Sequence, residues 1–440
     1  MSTILHIDFN SYFATVEQQA NPRLRGKPIG VTGGDRMERT VIGAASIEAK
    51  KFGVKTGMHP YEAKRLCPNL ILVRGDCDKY LEVTKKFLNI IKDYSPLVEV
   101  FSIDEVFVEL PPSVIASEAK QSQKEIALSL TLLAMTTAKQ IKSRIHDEIG
   151  EWMSCSVGIS YNKLMAKLAS NLQKPDGLVV IPNQEEAIKV LDKIELDEIC
   201  GIGIRLKKRL NNMGIFGFKD LRNVPLKALL ASYKSYGQTL YDMSRGIDNR
   251  PIIPFYEKEE VKSIGHRHTI DHDTNDLTEI KQILLKLTEL IARRLRIKKL
   301  VGKTVSFWYR EAIQGYNPGL QIQNQTGIEK LKFAGDVMQA IIPYTADGLE
   351  IFHAAWKILH TIWSGEKIRM IGVSISNLKP INPHNLSLLP DTIREETILK
   401  AIDKINDKFG EFTLQRGILL RSSYIKRKPN PFLADRRFKL

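Results

Sequence analysis

Along this chain the spacing of apolar positions switches between two and about 3.6 residues, and each switch marks an element. Ile4-Leu5-His6-Ile7 is an apolar run closed by Asp8 and the polar pair Asn10-Ser11, which predicts a strand over Thr3 to Asp8. Helical spacing follows from Tyr12 to Ala20. Short strands are predicted at Pro28–Val31, Thr40–Ala45 and Leu70–Val73, with short helices at Ile47–Phe52 and Met58–Leu66. This small mixed block, 20–76, reads as an excursion inserted into a larger domain. Leu81, Phe87, Leu88 and Ile91 then recur at helical intervals between Lys79 and Tyr94. Val98 to Leu110 is a hairpin-like pair of strands with Asp104-Glu105 at or near the connection. Residues 111–137 open on Pro111-Pro112 and pass through Ser-, Ala- and Gln-rich sequence into a Leu-rich stretch, as expected of a partly helical surface insertion. A helix over Thr137–Ile149 and a strand over Ser154–Ile159 follow. Ser160 or Asn162 is placed to cap a helix bearing Lys163 and Lys167 on one face.

Beyond residue 180 the pattern becomes that of short helices. Cys200-Gly201-Ile202-Gly203-Ile204 is a Gly-rich turn opening a basic helix, and Met213-Gly214-Ile215 is a second turn. Pro251 to Val261, with Pro254 and a charged run, reads as a linker. A strand at Lys262–Thr269 leads to a long amphipathic helix, Leu277–Lys298, and a strand at Lys303–Tyr309. Residues 311–363 look irregular apart from a helix at Gly348–Trp363. A strand at Ile368–Ser374 and a helix at Glu395–Phe409 complete a β-α-β-β-α-like order. The fold class is α/β (α+β), in several domains.

Composition narrows the function. The chain has 440 residues, 43% hydrophobic and 26% charged, as a globular protein of two to four domains would have. A run of about 18 apolar residues is absent, so no membrane span is expected. The four cysteines form no CxxC pair, which argues against a zinc or disulfide framework and suits a reducing cytoplasm. Net charge is +15, favouring a polyanionic partner, nucleic acid before anionic membrane. Basic clusters stand at Arg205-Lys207-Lys208-Arg209 and Arg293-Arg294-Arg296-Lys298-Lys299. The final twenty residues, from Arg421, hold seven Lys/Arg against one Asp. Any one of these fits a solvated helix face; together they look like a footprint for a phosphate backbone.

Asp8, at the end of a buried strand, is either a helix cap or a ligand at the carboxyl end of a sheet. Asp104-Glu105 is either an acidic turn or a buried pair that a divalent cation with oxygen ligands would relieve. Lys163 and Lys167 are either solvated or poised for a triphosphate. The Gly201–Gly203 turn can present backbone N–H groups to a phosphate, with Lys207 beside it. His266 and His268 share one face of a strand and have no third ligand in view, so they read as DNA-facing or satisfied rather than metal-binding.

Taken in order, these pieces resemble the Y-family, translesion DNA polymerases, of the bacterial DinB (DNA polymerase IV) type. The resemblance rests on His6-Ile7-Asp8-Phe9 with Tyr12-Phe13, Ala49-Lys50-Lys51-Phe52-Gly53-Val54-Lys55-Thr56-Gly57-Met58, and Ser102-Ile103-Asp104-Glu105. It continues through Val157-Gly158-Ile159-Ser160-Tyr161-Asn162-Lys163, Lys174-Pro175-Asp176-Gly177 and the Gly201-Ile202-Gly203 hairpin.

It implies a right-hand polymerase: palm at 1–19 and 77–180 with an insertion at 111–137, fingers at 20–76, a helix-hairpin-helix thumb at 181–250, and a linker at 251–261. A little finger would occupy 262–440, with an insertion at 311–363. It implies template-directed, low-fidelity translesion synthesis without proofreading, by two-metal nucleotidyl transfer from a dNTP to a primer 3′-hydroxyl. Asp8, Asp104, Glu105 and the Phe9 carbonyl would hold two Mg2+ ions. Phe13 would be the steric gate against ribose, Tyr12, Lys50 and Lys174 would bind the nucleotide, and Gly201, Gly203, Lys207 and Arg267 would bind DNA.

The implied partners are primer-template DNA and dNTP, for a monomer away from membranes; a sliding-clamp peptide is not evident. Departures from the family pattern are Asn10 for an acidic residue, similar to the UmuC branch, Ala44 for threonine, Ile47 for tyrosine, and Lys50 for arginine. They leave open a catalytically weak or inactive DNA-binding relative. A palm-fold nucleotidyl cyclase is a further rival, one that would need neither the hairpin nor the basic C-terminal region.

Overall fold

The computed structural model describes residues 3–33, 40–110, 123–257, 260–312, 335–381, 390–410 and 412–420. The basic tail from Arg421, the Pro111-Pro112 start of the expected insertion, and 313–334 lie outside the described residues. The chain divides near residue 258 into two units.

In the first unit β1 (Thr3–Phe9) leads into α1 (Tyr12–Ala20). The excursion follows, with β2 (Ile29–Thr32), β3 (Ile42–Ala45), α2 (Ile47–Lys51), α3 (Pro60–Leu66) and β4 (Ile71–Arg74). Then come α4 (Cys77–Lys92), β5 (Val98–Val100), β6 (Glu105–Leu110), α5 (Gln123–Arg144), β7 (Cys155–Ser160), α6 (Lys163–Leu172) and β8 (Leu178–Ile181). The main sheet has the order β5-β6-β1-β7-β8, with β1 at its centre. Both neighbours of β1 run antiparallel to it. The excursion makes its own sheet, β3-β2-β4, over a small core that includes Ile42, Ala49, Val54 and Leu70.

The two-residue period of β1 explains how the sheet is covered. Leu5, Ile7 and Phe9 join a large core with Phe87, Leu88, Ala138 and Ile141 from α4 and α5. Ile4, by contrast, clusters with Phe107 and with Ala166 of α6. His6 and Asp8 share that second side by alternation. Helix α6 seats tightly on β7 because Gly158 has no side chain; a Cβ there would collide with the Ala166 carbonyl and the Ser170 N–H.

Helix α5 corrects one expectation. The helix predicted from Thr137 begins at Gln123, and Ala134 is fully buried in the main core. The end of the stretch read as a surface insertion therefore packs on the core, through Ala134 and Thr137. Its small Ser, Ala and Thr residues mask the apolar period. The linker is also shorter than read. The Ile253 N–H donates to Glu99 at 2.8 Å and the Phe255 N–H to the Val98 carbonyl at 2.9 Å, so the chain stays fixed to β5 through Phe255.

Helices α7 (Gln184–Leu191), α8 (Ile204–Asn211), α9 (Phe218–Asn223), α10 (Leu226–Tyr233) and α11 (Ser235–Met243) complete this unit. They pack around Leu196, Ile202, Leu210, Phe218 and Leu240.

The second unit runs through β9 (Ser263–Thr274), α12 (Leu277–Ile297), β10 (Leu300–Glu311), β11 (Val337–Thr345), α13 (Gly348–Ile362), β12 (Ile368–Ser376), β13 (Lys379–Pro380) and α14 (Pro390–Phe409). Its antiparallel sheet is ordered β11-β10-β12-β9, and α12 and α13 supply the core against Val305, Phe307 and Val373. The region read as an insertion at 311–363 thus contains an integral strand and helix. β11 is an edge strand exposed along most of its length, so no apolar alternation announced it.

Candidate active site

The site lies where β1 and β6 end together. The antiparallel register sets Asp8 directly opposite Glu105, and the Phe9 N–H donates to the Asp104 carbonyl at 3.0 Å. Asp104 and Glu105 sit at the tight return between β5 and β6, where the N–H groups of Phe101 and Ser102 both donate to the Glu105 carbonyl at 3.1 Å. The turn is braced from α4, since the Thr84 hydroxyl donates to the Ile103 carbonyl at 2.8 Å.

Each carboxylate has a different partner. Asp8 pairs with Lys174 at 2.9 Å. Asp104 accepts from the Ser102 hydroxyl. Glu105 receives His6 Nε2 at 3.0 Å and Lys167 Nζ, both on Oε2. Ligand atoms of His6, Asp8 and Glu105 lie within 4.8 Å of one another. Burial, together with the charges of Asp8 and Glu105, raises the Asp104 carboxyl above its usual value, against the Ser102 hydrogen bond. Burial also works against charge on Glu105, but His6 and Lys167 outweigh it and hold the carboxyl down at about 2. Asp8 and Glu105 lie this close, Asp104 is near enough to feel both charges, and lysines stand by as counterions, so the carboxylates offer oxygen donors suited to hard divalent cations.

Phe13 is half-buried in the first turn of α1, stacked on Tyr80 with ring centroids 4.4 Å apart. Tyr12 opens the same helix. The ring is buried in the main core and its hydroxyl donates to the Tyr80 carbonyl at 2.8 Å, which removes it from any ligand. Only the Tyr12 backbone remains available, because first-turn N–H groups have no intrahelical acceptor. The Lys50 ammonium is lowered in pKa by burial and then by Lys174, with Asp8 opposing, which places all three in one field.

Asn10 is buried under the sheet, with its amide donating to Ser154 at 3.1 Å and accepting from Ser156 at 3.0 Å. These bonds make Asn10 a structural residue. Ala44 is buried in β3 and Ile47 opens α2. Lys163 is not solvated either: buried, it pairs with Glu99 at 2.6 Å.

Gly201 adopts a left-handed backbone at φ +114°, and Gly203 caps α8. Both are exposed. Lys207 turns back to Asp197 at 2.7 Å and Glu195 at 2.9 Å; Arg205, Lys208 and Arg209 are exposed cations beside the hairpin. In the second unit Arg267 is exposed on β9, on the opposite side of the strand from Ile264 and Ile270. His266 and His268 alternate onto the Ile264 side. Burial, then Arg294 and His268, lowers His266 to about 4, so these histidines belong to the covered face.

Sequence reasoning missed the residues that hold the carboxylates: His6 with Ser170, and Ser102 with Thr84. His6 lies inside an apolar run, and only the β1–β6 register shows that it faces the acidic residues.

Residues 7–171 match the model of the impB/mucB/samB family, and 261–388 match that family's C-terminal domain. Residues 197–248 match the DNA polymerase-iota thumb domain. The DNA polymerase IV of Pelotomaculum thermopropionicum is 34% identical over 426 residues, covering 97% of each chain. That of Moorella thermoacetica is 33% identical over 420 residues, covering 95% of this chain and 96% of its own. Among solved structures, a Y-family DNA polymerase chimera of Dbh and Dpo4 superposes with a TM-score of 0.66 at 23% identity, covering 86% of this chain and 99% of that one. This last likeness is one of fold.

Proposed function

The chain belongs to the Y-family DNA polymerases, the impB/mucB/samB family, and from that premise we propose that it extends primers past damaged template bases by two-metal nucleotidyl transfer. The reading includes low fidelity and no proofreading. The observation that carries it is the meeting of Asp8 and Glu105 across the β1–β6 register, with Asp104 beside them. Asp8, Asp104, Glu105 and the Phe9 carbonyl would hold two Mg2+ ions. Bound there, the ions would lower the pKa of the primer 3′-hydroxyl and offset charge on the triphosphate during in-line displacement.

The remaining steps fall to the protein's own groups. Lys174, paired with Asp8 here, would turn to the triphosphate once cations neutralise that carboxylate, and Lys50 would add charge from the excursion side. The N–H groups of Tyr12 and Phe13 at the positive end of α1 would bind phosphate oxygens. The Phe13 ring, backed by Tyr80, would fill the space of a ribose 2′-hydroxyl. The Gly201–Gly203 turn, Arg205 and Lys208 would hold a backbone phosphate of the duplex, and Arg267 a phosphate through the second unit. Lys207 would serve mainly to brace the hairpin.

Primer extension by Asp104→Ala tests this reading. Extension in Mg2+ should be lost while primer-template binding is kept. Full extension by that variant would overturn the assignment.

A further inference from the structure

We propose that His6 and Lys167 are positioning residues that clamp Glu105 through Oε2 alone and so reserve Oε1 for a divalent cation. This rests on the reading of Glu105 as a cation ligand. His6 Nε2 lies 3.0 Å from Glu105 Oε2, and Lys167 Nζ donates to the same oxygen. The imidazole is fully buried and held at its far side, with Nδ1 2.8 Å from the Ser170 hydroxyl. Ser170 is itself fixed by the Lys167 carbonyl at 2.9 Å. The Lys167 ammonium lies 4.8 Å from the centroid of Phe101, and the His6 ring packs 4.6 Å from Phe107. Strands β1 and β6 and helix α6 are thus tied at one carboxylate oxygen.

Proximity alone nominates His6 as a ligand, because its ring nitrogen falls within the same 4.8 Å group as Asp8 and Glu105. Its hydrogen bonds assign it otherwise: both nitrogens are engaged, in a ring without solvent access. A residue that orients a ligand from behind fixes the direction of the ligating lone pair and keeps the carboxylate ionised. Two donors on one oxygen leave the other oxygen as the monodentate contact. The Asp104 carboxylate, by contrast, is held by the neighbouring Ser102 within its own turn, and its residue meets β1 through the backbone bond from the Phe9 N–H.

Mn2+ binding measured by electron paramagnetic resonance tests the inference. The full-length protein is bound to a 3′-dideoxy-terminated primer-template with the matching dNTP, so that no turnover occurs. His6→Phe and Lys167→Met should each weaken Mn2+ binding by about 10–100-fold, the usual effect of losing an outer partner. Lys167→Arg should restore most of the affinity. Wild-type Mn2+ affinity in Lys167→Met, or in a His6→Phe protein that unfolds in EDTA like the wild type, would overturn the clamp. Glu105→Ala separates the two levels. If Glu105→Ala loses Mn2+ while the clamp variants keep it, only the positioning inference fails; if Glu105→Ala keeps it, the ligand assignment fails first.

Discussion

Three carboxylates that feel one another's charge are tolerable at neutral pH only because each has a separate compensating group. Asp8 has Lys174, Glu105 has His6 and Lys167, and Asp104 has a single hydroxyl. Asp104 therefore carries the least compensated charge, and its raised carboxyl follows. A folded pKa above the unfolded one stabilises the fold below the usual carboxylate range and loses that contribution as pH rises through the raised value. In EDTA at neutral pH, Asp104→Asn should then unfold at a higher temperature than the wild type, even as it loses extension; an unchanged or lower melting temperature would contradict the repulsion. At Phe13 the expectation concerns selectivity. Phe13→Ala should raise ribonucleotide use relative to deoxyribonucleotide by roughly 100-fold, read from single-nucleotide incorporation. Asp8, Asp104 and Glu105 stood out as charge at the ends of apolar strands, with a helix cap and an acidic turn left open beside a cation site, and Phe13 was singled out only by the order of motifs. His6 was not, since a histidine in an apolar run looks like any half-buried ring until the strand register is known.

Elements deliver these residues by alternation and close packing. β1 sends Leu5, Ile7 and Phe9 to one core, and its even-numbered residues to the face where α6 lies. Lys163, near the start of α6, pairs with Glu99 of β5 and reaches the Pro251 carbonyl at 3.2 Å. Removing one partner strands the other charge, so Glu99→Ala should cost about 3–5 kcal/mol in denaturant unfolding. A loss close to zero would show the pair to be dispensable. The strands and helices around the site were largely readable from apolar period and turn residues. Two elements were not: α5, whose small residues blur its face, and β11, whose edge position removes the alternation. The second unit carries a pH dependence of its own. His266 is held down to about 4, so as pH falls from about 6.5 the unfolded chain protonates first and stability drops until about 4. His266→Gln should flatten that part of the unfolding profile; an unaltered slope would place its cause elsewhere.

On the scale of the molecule, a net charge of +15 is spread over both units rather than gathered at the carboxylates. Arg205 and Lys208 stand exposed in one and Arg267 in the other. Binding to primer-template should accordingly be dominated by phosphate contacts and fall by roughly 10³ or more between about 50 and 200 mM salt. The charge and the order of motifs were plain in the sequence. The inward turn of Lys207 was not, because the acidic residues that capture it come from the preceding segment and meet it only in the fold.

The most direct test of the account is the single-turnover rate of nucleotide incorporation as Mg2+ is titrated at fixed dNTP, for the wild type and Asp104→Asn. The account predicts a wild-type rate that climbs more steeply than the first power of Mg2+ at low concentration, and a loss on the order of 10³ in Asp104→Asn with primer-template binding retained. A first-power response throughout, together with near wild-type rates in Asp104→Asn, would contradict it.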